Sequence, residues 1–273
     1  MLRPLAILVL PAAAQAACPE PATVDALAAD VLAGVPATSI MQGAPMEDAL
    51  CAQDMLVERL STEWGEPVGY KAGLTSAAVQ ERFGVSAPVR GVLLADMMLG
   101  DKETVSAAFG ARPIFEADLI LVVGDAAINA ATTPEEVLAS LSEVRPFIEL
   151  ADLVVAEGEP LDGAVITAIN VGARMGAMGD PIPASELSVE ELATVTVRLE
   201  AGGETVSEAP GAAVLGNPLN AVLFLTGDGV ELAPGDLVSV GAMGPPATPV
   251  SGHTATATYL GLPGDPAVSV TFE

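Results

Sequence analysis

Residues 114–123 read IFEADLILVV, an apolar run of strand length broken only by Glu116 and Asp118. Side chains at i and i+2 of a strand point to the same face, so the two carboxylates converge on one side. Burying two anions together is costly unless a cation or protons neutralise them. Hard oxygen donors suit Mg2+, Mn2+ or Ca2+ better than zinc. Spacing alone decides little, because 36 acids in 273 residues give about five acid-x-acid pairs by chance. Two readings stay open from these residues: a metal site, or the exposed face of an edge strand. Glu149, in Phe147-Ile148-Glu149-Leu150, is a further acid inside an apolar run. It is either a third ligand or a single outward charge on a half-buried strand.

Working outward from that strand, helical spacing predicts helices over 22–34 and 46–64, with Gly65 as a stop. A short strand, Pro67–Lys71, leads through a Gly-rich turn to a helix near Ser76–Phe83. Thr133-Pro134-Glu135-Glu136 reads as a capping box with Pro at the first helical position, opening a helix that ends before Val144. Phe147–Leu153 reads as a strand. Thr194–Leu199 alternates, and a hairpin turn follows at 201–204. Pro218–Thr226 reads as a helix, and three strands close the chain at Leu237–Gly241, Thr254–Leu260 and Ala267–Phe272. Helices and strands do not alternate regularly after residue 190, which argues against a doubly wound parallel sheet. The pattern predicts an α+β chain: a helical segment over 17–66 and a mostly β body over 67–273.

The formal net charge is -26 and aromatics are 3% of residues. The charge repels phosphate backbones and anionic bilayers, which speaks against nucleic-acid and membrane partners. The core must be built from Val, Leu, Ile and Ala. Residues 1–16, MLRPLAILVLPAAAQA, carry Arg3, a short apolar stretch and a small-x-small site. That is the pattern of a secretory signal peptide and predicts a periplasmic or secreted protein. Cys18 and Cys51 are the only cysteines. In an oxidising compartment an even count predicts a disulfide between them, contributing about 3 kcal/mol by closing its loop. The alternative is two free thiols.

Lysines are scarce. Lys102 reads as a surface residue, whereas Lys71 sits between glycines in Gly69-Tyr70-Lys71-Ala72-Gly73. It is either partly buried and fit for proton transfer or carboxylate binding, or a strand-end lysine in solvent. His253 is the sole histidine, with no nucleophile elbow beside it, so a Ser-His-Asp mechanism lacks support. No Walker-type loop and no G-x-G-x-x-G after a strand points to a nucleotide.

In one order along the chain come GYKAGLTS (69–76), FGVSAP (83–88), the acids at 116 and 118, PFIEL (146–150), LGNPLNAVLFL (215–225) and PGDLVSVGAMGP (234–245). Over roughly residues 45–273 this order resembles the 2-keto-4-pentenoate hydratase and 4-oxalocrotonate decarboxylase branch of the fumarylacetoacetate hydrolase superfamily. The resemblance implies a mixed β-roll with an N-terminal helical segment and a tendency to form homo-oligomers. It implies a divalent metal, Mg2+ or Mn2+, on Glu116, Asp118 and Glu149, with Lys71 as the catalytic lysine. It also implies Thr75, Asn170 and Gly241 as substrate-binding positions and a small anionic 2-oxo or 2-hydroxydienoic acid as substrate. The implied reaction is hydration. The alternatives are C–C cleavage or decarboxylation of an acylpyruvate-like acid, or binding of an organic acid or metal without turnover.

The chain departs from the family pattern at several places. Asp118 stands where Glu is usual, and Val89 replaces an acid in the turn Pro88-Val89-Arg90-Gly91. Ile169 precedes Asn170 in place of Asp, Asn217 stands for His, and Val240 for Thr before Gly241.

Overall fold

The computed structural model describes residues 17–273, so the signal-peptide reading of residues 1–16 lies outside the described residues. Two helices come first, α1 (Pro21–Ala33) and α2 (Met46–Trp64). Pro21 opens α1, where its missing N–H costs nothing, and Gly34 closes it in the left-handed conformation. Cys18 and Cys51 are disulfide-bonded, their Cα atoms 5.4 Å apart, which fastens the start of the described chain to α2. The Ala17 N–H adds a 2.7 Å bond to Asp48.

The strands follow as β1 (Pro67–Gly73), β2 (Val89–Leu94), β3 (Met98–Gly100), β4 (Glu103–Val105) and β5 (Pro113–Val123). Next are β6 (Leu141–Asp152), β7 (Met175–Met178), β8 (Ile182–Pro183), β9 (Thr196–Ala201) and β10 (Glu204–Pro210). The last three are β11 (Leu237–Ser239), β12 (Thr254–Leu260) and β13 (Ala267–Phe272). Between them lie the short helices α3 (Ala77–Arg82), α4 (Pro134–Ala139), α5 (Gly163–Ala168), α6 (Val189–Thr194) and α7 (Asn220–Gly227).

One sheet runs β2-β1-β11-β5-β6-β7-β3, with β8 also on β6; the other runs β10-β9-β12-β13-β4. They pack through Leu119, Leu121, Ile148 and Leu150 on one side and Val197, Leu199, Ala257 and Val268 on the other. These are the odd positions of β5 and the even positions of β6, so the acids at 116, 118 and 149 fall on the opposite face. Tyr259 of β12 is fully buried, and its hydroxyl lies between the carbonyls of Asp118 and Phe147, which face each other across β5 and β6. The second sheet is thereby pinned to the first beside the acids.

The helical segment is not an appendage. Val24, Leu27, Leu56 and Leu60 share a buried cluster with Val92 and Leu94 of β2 and with Val165 and Ile166 of α5. Among the described residues no helix is long and apolar enough to cross a membrane.

Two local expectations need correction. Strand β6 starts at Leu141, six residues before the apolar stretch at Phe147, because pairing with β5 continues past that stretch. Thr133 does cap α4, but Glu136 bonds the N–H and hydroxyl of Thr132 at 2.7 and 2.9 Å, so the reciprocal half of the box is absent. The reciprocal box is at Ser188 and Glu191, opening α6.

Candidate active site

Strands β5 and β6 pair antiparallel with Glu116 opposite Glu149. On the pleated face shared by the two, the next rung is Ile114 opposite Ala151. The ladder then continues past the strand ends, where the Leu153 N–H donates to the Arg112 carbonyl at 3.2 Å. All six side chains line one cavity of about 700 Å³, which also takes in Lys71, Thr75 and Gly241. Its floor therefore runs from a pair of acids, over an apolar rung, to an arginine.

Lys71 reaches the acids from β1, two strands away from β5. It is 3% exposed. Its ammonium pairs with Glu149 and donates to the Val171 carbonyl at 3.1 Å. Gly91 on β2, directly opposite Lys71, makes room: a Cβ there would come within 2.9 Å of the lysine Cγ. Of the two readings the sequence left open for this lysine, the buried one is what the fold builds.

Burial raises the Glu116 carboxyl to about 8, with the Glu149 charge opposite adding to the rise and Lys71 opposing it. Carboxylates paired across a strand rung resist joint ionisation unless positive charge is supplied. The open question about an edge strand is likewise answered, since β5 is central and Glu149 is buried.

Asp118 behaves differently. It is fully buried and does not line the cavity. One oxygen accepts from the backbone N–H groups of Leu119 (2.6 Å), Gly241 (3.0 Å) and Val240 (3.1 Å). The other accepts from the Ser239 hydroxyl at 2.5 Å. Among the described residues no three His, Cys, Asp or Glu side chains are grouped as a metal cluster. The Asp118 carboxylate is instead held by the Leu119 N–H and by donors at the end of β11. Burial pushes its carboxyl up to about 7, against the lowering by the Ser239 hydroxyl and the Leu119 N–H.

The substrate-binding expectations divide as well. Thr75 and Gly241 both line the cavity. Gly241 has φ +105, and a Cβ there would sit 2.8 Å from the Thr75 side chain, so only glycine lets the two approach. Asn170 does not reach the cavity. Its amide is spent on the backbone of Val92, donating to the carbonyl at 2.9 Å and accepting from the N–H at 2.8 Å. It holds β2 in place and is a framework residue. His253 lies beside Gly202 in the turn before β12, outside the cavity. Sequence reasoning missed Arg112 and Arg82, which also line the cavity. Arg112 could have been found by stepping back two and four residues from Glu116 along the same strand face.

No family model matches the chain. Individual proteins do. A 2-keto-4-pentenoate hydratase from Paraburkholderia xenovorans is 34% identical over 205 residues, 73% of this chain and 75% of that protein. The chain belongs to the 2-keto-4-pentenoate hydratase family. Among solved structures similar to this family member is the 4-oxalocrotonate decarboxylase from Pseudomonas putida G7 complexed with magnesium and adipate. It is 25% identical, covers 93% of this chain and 97% of its own, and superposes with a TM-score of 0.81. The fumarylpyruvate hydrolase from Pseudomonas aeruginosa, at 18% identity and a TM-score of 0.55 over 75% of this chain and 89% of its own, shares the fold. The architecture is therefore the α+β fold of the fumarylacetoacetate hydrolase superfamily.

Proposed function

We propose that this chain is a divalent-metal-dependent lyase that hydrates a small 2-oxo-enoic or 2-hydroxydienoic acid. The observation that carries the reading is the rung of Glu116 and Glu149 facing Lys71 in one cavity. Family membership supports hydratase or lyase chemistry on small oxo acids. Two carboxylates, one held largely neutral by burial, are a hard donor set that fits Mg2+ or Mn2+. With Asp118 caged, the protein's share of that donor set is Glu116 and Glu149. Such an ion, when bound, supplies positive charge against the carboxylate and 2-oxygen of a 2-oxo acid.

The remaining work falls to the chain's own residues. Lys71 holds a proton at Nζ, steadied by Glu149 and the Val171 carbonyl, within the cavity where the carbon beside the oxo group would lie. Thr75, backed against Gly241, offers a hydroxyl to orient the substrate head. Ile114, Leu153 and Ile166 keep water from the reacting carbon except where the reaction admits it.

A second reading, C–C cleavage or decarboxylation, is favoured by one observation. The turn that carries an acid in hydratases contributes none here: Val89 is buried in β2, and the Arg90 guanidinium lies 3.1 Å from Asp228. Capture of an acid without turnover is the third. Incubating the protein with 2-oxopent-4-enoate and a panel of 2-oxo acids, with Mg2+ or Mn2+ and after EDTA, separates them. Ion-dependent water addition that Lys71→Met abolishes supports hydration. Carbon dioxide release supports decarboxylation, and tight binding with no product supports capture.

The pattern of residues 1–16 and the Cys18–Cys51 bridge together support export to the periplasm or beyond. We further expect a homo-oligomer, to be read by light scattering.

A further inference from the structure

The chain carries 10 Lys and Arg against 36 Asp and Glu, so an unpaired cation is rare in it. Arg59, Lys71, Arg90, Lys102, Arg145 and Arg198 are all in ion pairs. Among the described residues only Arg82, Arg112 and Arg174 are not. Arg174 is accounted for, stacked 4.4 Å over Trp64 and donating to the Phe109 carbonyl at 3.1 Å. The other two both line the cavity.

Their position matters as much as their number. Arg112 is four residues from Glu116 on the same strand face, about 13 Å along the backbone. The Ile114–Ala151 rung separates the two. Arg112 donates one N–H to the Val155 carbonyl at 2.9 Å, which fixes the guanidinium. The neighbouring carboxylate of Asp152 is not its partner, since it accepts from the backbone N–H groups of Ala111 and Arg112 at 3.0 and 2.7 Å. Arg82 ends α3 on the wall, its guanidinium 5.6 Å from the Phe83 ring. One acid, Glu159, also borders the cavity, but it is exposed and tied to the Ser39 N–H at 3.3 Å.

We propose that Arg112, with Arg82 on the wall of the same cavity, is a second anion subsite that reads a carboxylate at the far end of the substrate. The cavity then selects 2-oxo dicarboxylates, with a short apolar chain over Ile114 and Ala151, above 2-oxo monocarboxylates. A guanidinium grips a carboxylate through two parallel N–H donors, which a terminal methyl cannot exploit. In a chain of such negative charge, two unpaired arginines lining one cavity also give a dianion its local attraction. This inference rests on the head site proposed above, where Glu116, Glu149 and Lys71 take the oxo-acid end.

The test is calorimetric titration in Mg2+ with three probes: oxalate, 2-oxohexanoate and 2-oxohexanedioate. Neither six-carbon acid carries the alkene that hydration needs, so binding is read without turnover. The expected result is that the diacid binds at least about tenfold tighter than the monoacid. In Arg112→Met that preference falls to about one, and in Arg82→Gln, a change on an exposed residue, it falls part of the way. Oxalate, which reaches only the head site, reports that each variant is folded and competent. Equal binding of the two six-carbon acids by a wild type that binds oxalate overturns the subsite alone. So does a preference that survives in both variants. Failure of the wild type to bind oxalate overturns the head site on which the subsite depends, which is a distinct result.

Discussion

Glu116 and Asp118 stand two residues apart on the same face of β5, yet the fold treats them in opposite ways. Glu116 opens on the cavity, opposite Glu149. Asp118, one rung further, faces Ser239 and the N–H groups of Val240 and Gly241, and both its oxygens are occupied. The first is a cavity-facing carboxyl whose ionisation is opposed by burial and by the Glu149 charge. The second is a clamp that fixes the chain where β11 ends and Gly241 begins the cavity wall. Strand periodicity puts both on one face, but side-chain length and the donors arriving from a distant strand decide what each one does.

The largest effect expected lies on the cavity side. Replacing Lys71 by Met removes the proposed proton carrier and leaves Glu149 unpaired, so turnover of the best 2-oxo acid should fall by about a thousandfold. The same variant should also melt at a lower temperature, since Glu149 is left buried without its cation, so turnover is compared on folded protein. A loss below tenfold would remove Lys71 from the chemistry.

On the clamp side the ranking reverses. Asp118→Ala strips four hydrogen bonds and leaves buried donors unsatisfied, which should cost about 3 kcal/mol in denaturant unfolding. Asp118→Asn keeps the shape and part of the bonding, so it should cost less. If Asp118→Ala were no less stable than the wild type, the clamp would be wrong.

A smaller effect follows from pH. Burial raises the Glu116 carboxyl to about 8, well above its ordinary value of 4.5. A carboxyl raised in the folded state contributes stability that is full below its unfolded pKa and is lost as pH rises through the folded one. The protein stripped of divalent ions should therefore melt at a lower temperature at pH 8.5 than at pH 6. Saturating Mn2+ should shrink that difference, because the ion favours the ionised form. A metal-free melting temperature that rises over this interval would contradict the sign.

Much of this was legible before any coordinates. Helices α1 and α2, the long strand β5 and the three closing strands stand where periodicity and turn residues put them. The hidden elements share a physical cause. Strand β2, VRGVLL, is buried on both faces and shows no alternation. Helix α5, GAVITA, is buried all round and has no polar stripe to betray it. Sequence placed Glu116, Glu149 and Lys71 in one site, and they do converge. It could not show that Ser239, 121 residues after Asp118, would supply the bond that turns that carboxylate from the cavity. Nor could it show that Asn170 would be spent on Val92. Such partners are set by tertiary pairing, which local spacing does not encode.

The central claim is that the reactive head of the site is built by Glu116 and Glu149 and not by Asp118. Mn2+ titration followed by electron paramagnetic resonance on the wild type, Glu116→Gln and Asp118→Asn tests it directly. The account predicts that the wild type binds the ion, that Glu116→Gln weakens binding by at least about a hundredfold, and that Asp118→Asn stays within about tenfold of the wild type. Equal losses in the two variants, or no binding by the wild type, would contradict it.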